Sequence, residues 1–284
     1  MHNMNKFTFT ASVCAALFFA ACGDDSSSAT SPSEGSSSSV ANFSSSSSAI
    51  IPGLTENHQT DLCYINCCTD IGPSPSVIPG LTVKLLTDSR DGQMYKVVTI
   101  GAQTWMAQNL NYETADSYCY SDTPSNCTKY GRLYTWAAAM DSAGKWSTNG
   151  KGCGNGSTCT PMYPVRGVCP TGWHLPTKAE FETLFTAVGG QSIAGRRLKS
   201  YSDDWNVCGF GTDVYWFSAL PAGYRYDIGD YDDKGNYAYF WSSTEDGGYH
   251  AYHIYLEFSF ESVSHDDEFK FKDFGLSVRC VKDE

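Results

Sequence analysis

Cysteines are the first side chains in this sequence whose type and spacing could do chemistry, and there are twelve of them. Cys63, Cys67 and Cys68 form a C-x3-C-C cluster, which raises the question of zinc. No second CxxC-type pair or nearby histidine completes a tetrahedral set. Cys14 lies inside an apolar leader and Cys22 closes it, so twelve minus two leaves ten cysteines. An even number in an exported chain points to disulfides instead. Carboxylates are the next candidates. Glu180 and Glu182 sit two apart on one helix and do not face each other. Asp203-Asp204 and Glu245-Asp246 fall in apparent loops. A glycosidase pair must be held ~5–10 Å apart across a cleft, which no spacing here establishes.

His250 and His253 would suit one helix face, but their stretch alternates like a strand. There His250, Tyr252, Ile254, Leu256 and Phe258 share one side and His253 points to the other, so the two rings do not converge on a metal. Asp227, Asp230, Asp232 and Asp233 precede Gly235-Asn236. Lys234 and Trp241 occupy positions where an EF-hand needs oxygen ligands, which leaves at most a looser calcium loop. The sequence contains no G-x-S-x-G elbow, HExxH, phosphate loop or dinucleotide fingerprint. No catalytic residue, metal ligand or cofactor is therefore assigned. Aromatic residues crowd the last third of the chain. Tyr and Trp combine a flat apolar face with a polar handle, which suits stacking on sugar rings when exposed. Tyr224, Tyr226, Tyr231 and Trp241 are the candidate ligand-binding residues.

The N-terminus gives an address. Lys6 precedes an apolar run from Phe7 to Ala21 that ends in Phe19-Ala20-Ala21-Cys22. The run is short for a hydrocarbon core of ~30 Å. Small residues before a cysteine, followed at once by polar Gly23-Asp24-Asp25, predict a lipoprotein signal peptide over 1–21 and lipidation of Cys22. A plain secretory signal and an uncleaved anchor are the alternatives. Gly23 after the cysteine favours the outer membrane or cell surface, with the bilayer as a partner through Cys22. Residues 22–62 read as a Ser-rich disordered tether. A flexible chain of that length has an r.m.s. span of ~35 Å. Residues 63–86 form a cysteine-containing linker in which Ile51-Pro-Gly-Leu-Thr55 recurs as Ile78-Pro-Gly-Leu-Thr82. The net charge of −12 argues against nucleic acid.

The elements that position these residues follow from periodicity. Met94–Ile100 and Gln103–Leu110 flank Gly101-Ala102 as a hairpin. Leu133, Trp136, Ala137 and Met140 have helical spacing, as do Phe181, Leu184, Phe185 and Val188. The second helix carries a Thr177/Glu180 capping box and Gly189 at its C-terminus. Val214–Ala219, Tyr237–Ser243, His250–Phe258 and Gly275–Val281 read as strands. The fold class is α+β.

Several stretches together resemble one family. They are Asp88–Lys96, Gln103–Tyr112, Tyr130–Met140, Gly167–Thr177 (GVCPTGWHLPT), Phe217–Gly223, Phe240–Glu245 and Ser277–Val281. In order from about Asp88 to Asp283 they resemble the Fibrobacter succinogenes major paralogous domain, a functionally uncharacterised family. The resemblance implies a domain over 87–284 with a C-type-lectin-like fold. That fold has two helices beside a small twisted antiparallel sheet, with long loops and disulfide staples. It also implies the pairs Cys169–Cys280 and Cys119–Cys127. Proximity in sequence adds Cys153–Cys159, and leaves Cys63, Cys67, Cys68 and Cys208, with the N-terminal segment expected to join Cys208. Neither the calcium-and-sugar triplets of true C-type lectins nor the cysteine pair of formylglycine-generating enzymes is found, so activity does not follow from fold. The leading expectation is a non-enzymatic surface module that binds an extracellular ligand, such as plant-wall polysaccharide or a surface protein. A secreted hydrolase using Glu245 and Asp246 and a structural envelope module are the alternatives.

Overall fold

The computed structural model describes residue 76, residues 78–264 and residues 270–284, all within one compact unit. The leader, Cys22, the tether and Cys63, Cys67 and Cys68 lie outside the described residues. The architecture is mixed α+β and mostly sheet. It opens with three antiparallel strands, β1 (Val83–Thr87), β2 (Met94–Ile100) and β3 (Gln103–Met106). Strand β1 pairs along its whole length with β2, so the domain begins before residue 87 and takes in the end of the expected linker. Gly101, at φ +60°, makes the tight turn that puts Ile100 opposite Gln103.

Two short strands, β4 (Ser117–Tyr118) and β5 (Leu133–Tyr134), flank helix α1 (Pro124–Tyr130), and helix α2 (Trp136–Ala139) follows. Helix α2 is a single turn. Thr135 caps it by accepting the Ala138 N–H, and Asp141, at φ +56°, stops it. Leu133 belongs to the sheet rather than to a helix, opposite Tyr118 and Ser277. A short apolar run buried on all sides has no period that separates helix from strand.

After β6 (Trp173–His174) comes α3 (Lys178–Ala187), with the expected capping box and Gly189 at φ +100°. Its Glu180 does double duty. It accepts the Thr177 N–H at 2.7 Å and bonds His174 at 2.7 Å, while the other His174 nitrogen meets Asp283. Helix α4 (Gln191–Leu198) follows, so the described chain holds four α-helices where two were expected.

Residues 214–219 do not form the expected strand. Asp213, Trp216 and Ser218 have φ of +47°, +54° and +53°. The Asp213 carboxylate accepts the Ser218 N–H and hydroxyl, and the buried Arg279 donates to the carbonyls of Phe217 and Ser218. Burial pushes Asp213 up to about 6 and Arg279 down to about 9.

The later strands are β7 (Ala222–Arg225), β8 (Tyr231–Lys234), β9 (Tyr237–Asp246), β10 (His250–Glu257), β11 (Val263–Ser264), β12 (Lys270–Phe271), β13 (Leu276–Ser277) and β14 (Val281–Lys282). One sheet runs β1-β2-β3-β14-β6 and the other β11-β10-β9-β13-β5-β4. The predicted strand 275–281 is thus split into β13 and β14, one in each sheet. Strands β9 and β10 are covered on both sides. Tyr239, Trp241 and Ala251 face a core with Tyr134, Trp136 and the Cys169–Cys280 bridge. Ala238, Phe240, Ile254 and Leu256 face a second core with Trp105, Phe181 and Phe217.

The disulfides Cys119–Cys127, Cys153–Cys159 and Cys169–Cys280 form as expected. Cys208 is also disulfide-bonded.

Candidate functional site

The four aromatic candidates do not make one binding face. Trp241 is fully buried, and its indole N–H donates to the Tyr134 carbonyl at 2.8 Å. Tyr224 is 5% exposed, wedged against Tyr226, Tyr239 and Phe274. Both are therefore corrected from stacking surfaces to core. Their neighbours bury an apolar ring more favourably than water solvates it. Tyr226 is half-buried, edge-on to Tyr224. Tyr231 is half-buried beside Tyr120, with ring centroids 5.1 Å apart, and its hydroxyl donates to Asp122 at 2.6 Å. Burial and Asp122 push the Tyr231 phenol up to about 12.

The polar candidates are tied into structure. Glu245 accepts the Cys159 N–H and pairs with the fully buried Lys272, which also donates to the Ser157 carbonyl at 2.9 Å. That network fastens the Cys153–Cys159 loop to β9. His253 is 1% exposed and neither ring nitrogen has a partner, whereas His250 lies against Phe271. Burial, reinforced by the nearby Lys270 charge, pushes His253 down to about 3. Asp233 accepts the Tyr239 hydroxyl at 2.9 Å. Among the described residues no three His, Cys, Asp or Glu side chains converge as a metal site would require.

Two adjoining clefts, of about 370 and 500 Å³, open instead beside the β2–β3 hairpin and the Cys119–Cys127 loop. They share Gln93, Asn111, Cys127 and Thr128. Residues 109–111, past the end of β3, build this wall. Asn109 points inward, donating to the Tyr130 carbonyl and accepting from the Arg279 Nε at 2.8 Å. Gly131, at φ +76°, passes so close that a Cβ there would lie 2.6 Å from the Asn109 Cβ. With Asn109 held inward, the backbone of Asn111 is fixed next. Its N–H donates to the Tyr95 hydroxyl at 3.1 Å and its carbonyl accepts from the Gln93 amide at 3.1 Å. Burial pushes the Tyr95 phenol up to about 12.

Arg90 forms the other side. Its Nε and Nη2 grip the buried Asp88, and its guanidinium lies 3.9 Å over the Tyr112 ring. Burial works to raise the Asp88 pKa, but the hydrogen bonds and charge of Arg90 outweigh it and hold the carboxyl below its ordinary value. Two polar atoms of cleft-lining residues remain buried without a hydrogen-bond partner. They are the donor Arg90 Nη1 and the acceptor Asn111 Oδ1. Such atoms are rare in folded proteins, because an unmatched buried polar group costs about 1–3 kcal/mol.

The model for the Fibrobacter succinogenes major domain matches residues 98–282. The chain belongs to that family. The match takes in β3, Asn111, the Cys119–Cys127 loop and every element through to β14, so the Fibrobacter succinogenes major domain includes one wall of the clefts. Arg90 and Gln93 lie just before the matched residues. No curated protein and no solved structure matches the chain. Periodicity did not point to Arg90, Gln93 or Asn111. The one signal that could have found them is that both lining stretches, Asp88–Lys96 and Gln103–Tyr112, carried the family resemblance.

Proposed function

We propose that this domain is a non-enzymatic ligand-binding module of an exported lipoprotein, anchored at the outer membrane or cell surface through a lipid on Cys22. The ligand site is the pair of clefts beside the β2–β3 hairpin, and the ligand is an extracellular polysaccharide. The observation that carries this reading is the pair of adjoining open clefts, lined largely by polar side chains that include Gln93, Gln108 and Asn111. Concave sites with a few polar side chains are where proteins take up small or extended ligands. Glu245, the best acid for a hydrolytic reading, is already engaged by Lys272 and the Cys159 N–H, which favours binding over hydrolysis.

We further propose a C-type-lectin-like arrangement. Its support is the Cys169–Cys280 bridge, the short strands and the long loop-rich segment 140–172 between α2 and β6. Among the described residues no helix is long and apolar enough to cross a membrane. Attachment in this reading therefore rests on acyl chains at ~0.8 kcal/mol per buried methylene. The protein is expected to sediment with insoluble cellulose or xylan and to take up labelled palmitate that Cys22→Ala abolishes. Retention on no polysaccharide would end the binding reading, and unlabelled protein would end the anchor.

A further inference from the structure

The two clefts differ in the charge of their walls. The larger is lined by Arg90, Arg132, Asp91 and Glu113. Both of its cations are engaged. Arg90 grips Asp88 through two nitrogens, and Arg132 pairs with Glu113 at 2.8 Å. Asp91 accepts from the Gln93 backbone and side chain and adds a further carboxylate. The smaller cleft is lined by Lys96 and Lys129 and by no Asp or Glu. Lys129 pairs with Asp204. Lys96 is exposed and has no ion-pair partner among the described residues. One cation is left over, and it stands in the smaller cleft.

The fold fixes that lysine among donors. Its backbone N–H donates to the Gln108 Oε1 at 2.8 Å, and its carbonyl accepts the Ala107 N–H at 2.7 Å. The first bond engages the Gln108 oxygen, which leaves the NH2 group of this exposed side chain to donate. Met94, 64% exposed, lies two residues before Lys96 on the same face of β2 and adds an apolar surface. A carboxylate only accepts, so an ammonium and an amide NH2 in one cleft answer it in both charge and hydrogen bonding.

The net charge of −12 sets a limit on how acidic a ligand can be. A chain with a carboxylate on every unit is repelled at long range and meets Asp91 and Glu113 in the larger cleft. A chain that is neutral apart from one carboxylate meets neither obstacle. Resting on the cleft reading above, we infer that the ligand is a sparsely acidic glycan: a neutral, hydroxyl-rich chain bearing an isolated carboxylate, which sits on Lys96 in the smaller cleft while uncharged units occupy the larger.

The test is calorimetric titration of the full chain with cellohexaose and xylohexaose, each with and without a single glucuronic acid unit, and with a galacturonate hexamer. At low salt the acidic member of at least one pair is expected to bind about fivefold tighter than its neutral counterpart, the most that one exposed ion pair is worth. High salt should erase that preference. Lys96→Gln should erase it too, while Lys96→Arg keeps it. Gln108→Ala should weaken both members of the pair about fivefold, the worth of one hydrogen bond. Thermal melts would confirm that the three variants fold. Equal binding within each pair, weakened by Gln108→Ala and untouched by Lys96→Gln, would overturn the acidic class and leave the cleft as the site. A preference for the acidic member that survives Lys96→Gln would overturn the placing of the carboxylate, and tightest binding of the galacturonate would overturn the sparse class. Binding of no glycan, or binding indifferent to both Gln108→Ala and Lys96→Gln, would overturn the cleft reading itself.

Discussion

The β9–β10 ribbon and the wall of the clefts both contain buried polar atoms without partners, and they differ in what surrounds them. His253 sits on β10 among the rings of Tyr239, Trp241 and Tyr255. Arg90 and Asn111 instead line an opening of about 500 Å³. The ribbon tolerates an unmatched imidazole because the ring stays neutral and packs as an apolar plate. The wall seals its unmatched atoms behind the lining of that opening, within a frame of polar groups that includes Asp88, Gln93 and Tyr95. An orphaned polar atom is thus no sign of function by itself, and the open cleft beside the wall is what sets that region apart.

The largest effect that would sharpen this contrast is expected at Trp241. Trp241→Ala leaves a cavity in the core that holds Tyr134, Trp136 and the Cys169–Cys280 bridge and removes the donor to the Tyr134 carbonyl, at a cost of about 3–5 kcal/mol. Urea unfolding would measure it. A loss below about 1 kcal/mol would mean that the ribbon is not the packed centre described above.

His253 comes next, and its effect depends on pH. Its folded pKa is depressed to about 3, whereas an unfolded histidine titrates near ~6.5. Above ~6.5 both states are neutral and the stabilisation is complete. As pH falls from there toward about 3, only the unfolded chain takes up the proton, so stability drops by up to ~1.4 kcal/mol per pH unit. His253→Phe removes this contribution, so the stability difference between variant and parent should swing in favour of the variant with acid. Parallel pH–stability curves for the two proteins would show that the imidazole is not sealed in.

The smallest of the three lies in the cleft wall. Replacing Cys119 and Cys127 by serine opens a loop with a sequence separation of 8. The chain-entropy cost is about 2–3 kcal/mol. Because both cysteines line the larger cleft, binding of a polysaccharide should weaken while the two cores remain intact. A double variant that melts lower yet binds as before would separate the loop from the site.

Local rules made much of the fold readable in advance. The β2–β3 hairpin follows from alternation around Gly101-Ala102, and α3 from a capping box at one end and Gly189 at the other. Elsewhere the decisive contacts are distant in sequence. Leu133 has helical spacing with Trp136, Ala137 and Met140, but β4 and β13 draw it into a sheet. Residues 214–219 look like a strand, but Arg279 reaches their carbonyls from 61 and 62 positions away and holds them in a curl. The candidate site was the least legible part. Aromatic residues carry the same types whether they stack on a sugar or fill a core, and only packing separates Tyr231 from Tyr224 and Trp241.

The sequence by itself determined the α+β class and membership of the family. These depend on composition, order and local periodicity, which the chain carries from residue to residue. The tertiary structure alone decided that Trp241 is core, that His253 is sealed, and that Arg90 and Asn111 border one opening. Those facts depend on which distant segments exclude water from a side chain, and no local pattern encodes that.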